Sequence, residues 1–206
     1  MARQPRADHP TKVALLECVA QLLDSHQSEE ITVDLVCRTS GVALGSLYHH
    51  FKDLPNLIDQ ALIYRFARYV DRSIQWLSEA LNSSNTAEEF FAGLKRVTRG
   101  TQTPELAQIR RERAGTLYRS GTHSAFAQEL GQEQQRLTDE IANVVSGGQS
   151  KGWVNPNLDA RAAAVLIQAY SLGRIVDDIT PNPMDNNKWI DLIDLLADRV
   201  FGLPNK

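Results

Sequence analysis

Residues 45 to 50, Gly45-Ser46-Leu47-Tyr48-His49-His50, place a hydroxyl, a phenol and two imidazoles beside a position with no side chain. Such groups donate and accept hydrogen bonds at neutral pH. On a helix, the adjacent His49 and His50 diverge by about 100° and cannot easily chelate one metal ion. They suit contact with base edges or phosphates, and Gly45 lets a backbone come close. A second group, Arg110, Arg111 and Arg113 with Glu105 and Glu112 nearby, offers charge for an acidic ligand. A solvated or salt-bridged helix surface is the better expectation for it. No catalytic-triad spacing or phosphate-binding glycine loop occurs, so nothing marks the chain as an enzyme.

The polar run at 45–50 needs a rigid support, and the preceding residues supply one. Thr32 suits the N-cap of a helix from Val33 to about Ser40. Gly41 stops that helix in the left-handed conformation, Val42 plugs the turn, and a second helix runs from about Leu44 to His50. This is helix-turn-helix spacing, in which the second helix enters the DNA major groove. Leu47 and Phe51, with Leu44 at the edge, form the side that packs on Leu35 and Val36. Gly45 and His49 point outward, flanked by Ser46, Tyr48 and His50, and Lys52 follows as a phosphate contact. A first helix over about Pro10 to His26 covers the pair with Leu15, Leu16, Val19, Leu22 and Leu23.

Thr32, Leu35, Gly41, Val42, Gly45, Ser46, Leu47, Tyr48, His50, Phe51 and Leu57 together resemble the DNA-binding domain of the tetracycline-repressor (TetR) family. The resemblance covers about the first quarter of the chain at motif level. It implies a DNA-facing set of Thr32, Val33, Ala43, Leu44, Gly45, Ser46, Tyr48, His49, His50 and Lys52, with Arg3 and Arg6 in an N-terminal arm. Two residues depart from the family pattern. Ala43 stands where a serine often caps the recognition helix, and Leu54 stands where a lysine usually reaches a phosphate.

The 206 residues carry a net charge of −3 with 42% hydrophobic and 23% charged residues, the balance of a folded globular protein. In the first 52 residues Arg3, Arg6, Lys12, Arg38 and Lys52 face six carboxylates, so the head is not basic overall. No apolar run approaches the roughly 20 residues of a membrane span, and no apolar signal core opens the chain. A cytoplasmic location is expected, with Cys18 and Cys37 as reduced, core-facing thiols.

Beyond the head, a helix from Pro55 to about Leu81 is expected, ended by the Asn82 to Asn85 cluster. In the resembled family this helix joins head to body. Thr86 caps the next helix, and Pro104 opens another to about Arg119. A long segment from about His123 to Val145 is closed by Gly147-Gly148. Asp159 to Asp178 forms an alanine-rich helix, and Asp185 to Phe201 forms the last. Aromatic residues in the body suggest a ligand cavity, with Phe66, Phe90, Tyr118, Phe126 and Tyr170 as candidate lining. Tyr118 and Tyr170 are favoured because a phenol offers a directional hydrogen bond inside an apolar pocket. Ala163 and Ile167, with Trp189, Leu192, Ile193, Leu196 and Val200, are too apolar for one buried stripe and suggest a self-association surface.

The expectation is therefore an all-α chain of about nine helices. Residues 1–54 would form a helix-turn-helix DNA-binding head, and 55–206 a ligand-binding and dimerisation domain. It would act as a homodimeric repressor of a near-palindromic double-stranded operator, released by a small apolar or amphipathic effector, with no cofactor or metal. The rival is an all-α ligand-binding or enzymatic protein whose first helices only resemble a DNA head.

Overall fold

The structure, a computed structural model, describes residues 9–121 and 124–203. It is all-α, and no strand occurs among the described residues. Its elements are α1 (Pro10–Leu22), α2 (Val33–Ser40), α3 (Leu44–His50), α4 (Leu54–Asn82), α5 (Ala87–Thr101), α6 (Ala107–Arg119), α7 (Ser124–Ser150), α8 (Ala160–Gly173), the single turn α9 (Ile175–Asp178) and α10 (Asn186–Leu196). The chain divides into two compact units, residues 1–68 and 69–206, and α4 contributes to both.

In the first unit, Leu15, Leu16, Val19 and Leu22 of α1 meet Val36 of α2, Leu47 and Phe51 at α3, and Leu57, Ile58 and Ala61 of α4 in one buried cluster. The local signals act where the sequence places them. Thr32 Oγ1 accepts the Leu35 amide at 3.2 Å, and Gly41 turns the chain at φ 70°. No side chain caps α3 at Ala43. Asp53 caps α4 by accepting the Asn56 amide at 2.8 Å. The first helix ends at Leu22 rather than near His26, and Ser25 turns its hydroxyl back to the Leu22 carbonyl.

The second unit departs from expectation at three helix ends. Gly147 and Gly148 do not close α7, which runs on to Ser150. They serve packing instead: a Cβ on Gly147 would lie 2.6 Å from Leu81, and one on Gly148 2.6 Å from Val154 and 3.2 Å from Phe90. The stop comes at Gly152, with φ 71°. The alanine-rich helix breaks at Arg174, where a buried guanidinium takes over the packing. The last helix passes into a π-turn, Ala197–Phe201, so that Phe201 joins the core of Phe90, Val144, Val145 and Val154.

Candidate nucleic-acid interface and ligand cavity

Helix α3 presents the face expected of it. Leu47 and Phe51 are buried, while Ala43, Leu44, Gly45, Tyr48 and His49 are exposed and Ser46 and His50 half-buried. Leu44, placed at the edge of the packed side by helical geometry, stands in solvent. Nothing lies within 4 Å of a Cβ built on Gly45, so the outer face is open there. Thr32 and Lys52 are exposed and Val33 half-buried at the flanks. Leu54 packs against the head core, so the position usually held by a lysine is given to burial. Arg3 and Arg6 lie outside the described residues.

The His50 ring sits 5.0 Å from both His9 and His49. Partial desolvation, then the neighbouring His49, His9 and Lys12, holds its pKa below the usual 6.5. The folded head therefore binds fewer protons than the unfolded chain below about pH 6.5. This contribution is fully present above that pH and is lost as pH falls through the lower folded value. In urea unfolding between pH 7.5 and 5, His50→Gln is expected to flatten the acid-side loss of stability relative to wild type. Parallel curves for the two proteins would show that this imidazole is not the cause.

The second unit encloses a cavity of about 100 Å³, several times the roughly 10–15 Å³ that one water requires. Its apolar wall includes Leu77 of α4, Phe90, Phe91 and Leu94 of α5, Ile141 and Val144 of α7, and Ile167 of α8. Tyr170, Thr98, Asp194, Lys95, Gln168, Arg113 and Tyr69 bring polar groups to it. The Tyr170 hydroxyl lies 3.4 Å from that of Thr98. Burial raises the pKa of this phenol and the nearby Asp194 charge adds to the effect, so it stays neutral.

Of the five aromatic candidates, Phe90 and Tyr170 line the cavity. Tyr118 does not: it is 82% exposed on α6. Phe126 is buried at the start of α7 with Arg119 near its ring, and Phe66 is buried within the first unit; neither is a lining residue. The face of α6 is inverted relative to its hydropathy. Arg110 points inward, donating to both carboxylate oxygens of Asp178 at 2.6 and 2.7 Å and to the carbonyls of Thr101 and Thr103. Arg113 lies over the Tyr69 ring at 3.8 Å. Arg111 and Arg113 of the basic run are both half-buried, and Arg111 is held by Gln108. The polar lining at Tyr69, Thr98, Arg113 and Asp194 escaped the sequence reading. A signal did exist, since Phe90, Phe91, Leu94, Val97, Thr98 and Thr101 recur at i, i+3, i+4 spacing on α5.

Several residues expected for self-association also pack within the subunit. Ala163, Ile193, Ile167, Leu196 and Val200 pack into the second unit, and the half-buried Trp189 donates its indole N–H to Gln102 at 3.1 Å. Leu192 is 57% exposed. On α8 the exposed stripe is instead Ala162, Val165, Leu166, Ala169 and Gly173, continued by Val176 of α9. Leu195 joins Leu192 on α10.

The comparisons agree with this architecture. The chain is similar to Salmonella enterica GusR, with a TM-score of 0.69 and 18% identity over 95% of this chain and 97% of that one. A Rhodococcus sp. protein described as a TetR-family transcriptional regulator superposes with a TM-score of 0.64 and 22% identity, covering 90% and 97%. A transcriptional regulator from Saccharomonospora viridis, solved in complex with choline, gives 0.68 and 15% over 93% and 97%. No family model and no curated protein matches the sequence. The fold is that of the TetR-type regulators. Among the described residues no helix is long and apolar enough to cross a membrane.

Proposed function

We propose that the chain is a homodimeric DNA-binding transcription repressor, released from a near-palindromic operator when a small apolar or amphipathic molecule enters the cavity of the second unit. Residues 1–54 read the DNA in this proposal, and 55–206 bind the effector and pair the subunits. The observation that carries it is the open, polar outer face of α3, held on the buried Leu47–Phe51 side of a helix-turn-helix. Helix α4 supports the second half: Leu57, Ile58 and Ala61 belong to the head core, while Tyr69, Ser73 and Leu77 line the cavity. An effector acts on such a device only through different affinities for its DNA-competent and DNA-incompetent states. A protein of this fold that binds choline supports a small-molecule effector. The Cys18 thiol donates to the Val36 carbonyl inside the head core and is given no redox role.

A band shift with the DNA upstream of the protein's own gene tests the reading. With a bound operator in hand, His49→Ala is expected to weaken the specific complex by about 1–3 kcal/mol if its imidazole meets a base. Lys52→Ala is expected to weaken all sequences alike and to lower the salt slope by about one unit. Unchanged affinity in both variants would remove α3 and its flank from the DNA interface.

A further inference from the structure

The polar groups that reach the cavity are mostly engaged within the chain. Lys95 pairs with Asp198 at 2.7 Å. Gln168 donates to Thr138 and to the Ala164 carbonyl and accepts from Gln134. The hydroxyls of Ser171 and Thr101 donate to the carbonyls of Ile167 and Thr98. Asp194 differs. Its Oδ2 accepts from Arg99, whereas its Oδ1 is buried and accepts nothing from the described residues. A buried carboxylate oxygen without a donor is costly and calls for an explanation, of which a bound donor is one.

We propose that Asp194 Oδ1 is the polar anchor for the effector, and that the effector is a neutral, largely apolar molecule bearing one O–H or N–H donor, of the phenol type. The inference rests on reading this cavity as the effector site. Three features define the class. The walls of the cavity are largely aromatic and aliphatic, so most of the ligand must be apolar. Arg99 already balances the Asp194 charge, and Arg113 also stands in the wall, so an ammonium would meet a cation beside a neutralised anion. An acid would set a second carboxylate beside Asp194. A neutral donor meets neither penalty, and its hydrogen bond to a carboxylate in an apolar site is charge-assisted.

The test uses the full chain and calorimetric titration with four probes of matched size: 4-ethylphenol, 4-ethylanisole, 4-ethylbenzylamine and 4-ethylbenzoate. 4-Ethylphenol is expected to bind about tenfold to a hundredfold more tightly than 4-ethylanisole, which lacks the donor. In Asp194→Asn, Arg99 retains the amide oxygen and the amide nitrogen takes the place of Oδ1, turning an acceptor into a donor. The preference is then expected to vanish or reverse. Equal binding of phenol and anisole, an unchanged preference in Asp194→Asn, or tightest binding of the amine or the benzoate would each overturn the assignment. The anisole separates the two readings. If it enters the cavity as well as the phenol, the effector site stands and the anchor falls; if no probe binds, both fall. Should Asp194→Asn not fold, the ranking of the four probes on the unaltered protein still decides.

Discussion

Arg110→Ala is expected to reduce the unfolding free energy by about 3–5 kcal/mol, a large part of the roughly 5–15 kcal/mol that holds a typical domain folded. The side chains of Arg110 and Asp178 are only 3% and 5% exposed, so solvent does little to screen their attraction. Removing the guanidinium leaves the Asp178 carboxylate buried with Arg174 Nε at 3.7 Å, and strips a donor from the carbonyls of Thr101 and Thr103. The hydrogen bonds from Arg110 hold the Asp178 carboxyl below its ordinary pKa. The folded state therefore binds fewer protons than the unfolded one, and the pair's stabilisation is present at neutral pH. It is lost as pH falls through the depressed folded value. Replacing both partners, Arg110→Met with Asp178→Leu, is expected to cost less than Arg110→Ala, because no buried carboxylate is left without Arg110, although Arg174 then loses the Asp178 charge. Urea titrations followed by tryptophan fluorescence measure all three. A loss below about 1 kcal/mol for Arg110→Ala, the range of an exposed pair, would contradict the network's weight.

Val165→Asp combined with Leu192→Glu is expected to convert a dimer to monomers and to lower operator affinity by two or more orders of magnitude. Val165 is 52% exposed on a stripe of α8 formed by Ala162, Leu166, Ala169 and Gly173, with Arg161 at its edge. Such a stripe on a folded protein marks an interaction surface, and a two-fold pairing of identical stripes is the economical way to cover it. Two tethered heads bind successive half-sites with a high effective concentration, and a monomer forfeits about 10²- to 10⁴-fold of that gain. Sedimentation reads the assembly and a band shift reads the affinity. Ala163→Ser, on the inward side of α8, is expected to leave the dimer intact. A wild-type chain that sediments as a monomer at micromolar concentration would refute the proposal.

The head was legible from sequence because its signals are local. A threonine N-cap, a glycine that takes positive φ and a hydrophobic residue every three to four positions act within one or two turns. Thr32, Gly41 and Leu47 accordingly take the roles their positions imply. Even the missing cap at Ala43 could be read. The same holds for the Thr86 hydroxyl that caps α5 and for the extent of α4.

What the tertiary structure decided was which face of each body helix turns inward. Helix α8 is apolar almost all round, so periodicity could not separate the buried Ala163 and Ala164 from the exposed Val165 and Leu166. Helix α6 reverses the usual rule: Arg110 is inside and Tyr118 outside, because Asp178, 68 residues later, supplies the countercharge that makes burial of a guanidinium tolerable. Gly147 and Gly148 looked like a helix stop, yet they are the places where Leu81, Val154 and Phe90 approach the α7 backbone. A residue's own neighbours in sequence set its backbone conformation, but its burial is set by partners far along the chain. The recognition helix was therefore readable, whereas the cavity, its Asp194 oxygen and the exposed stripe of α8 emerged only from the packing.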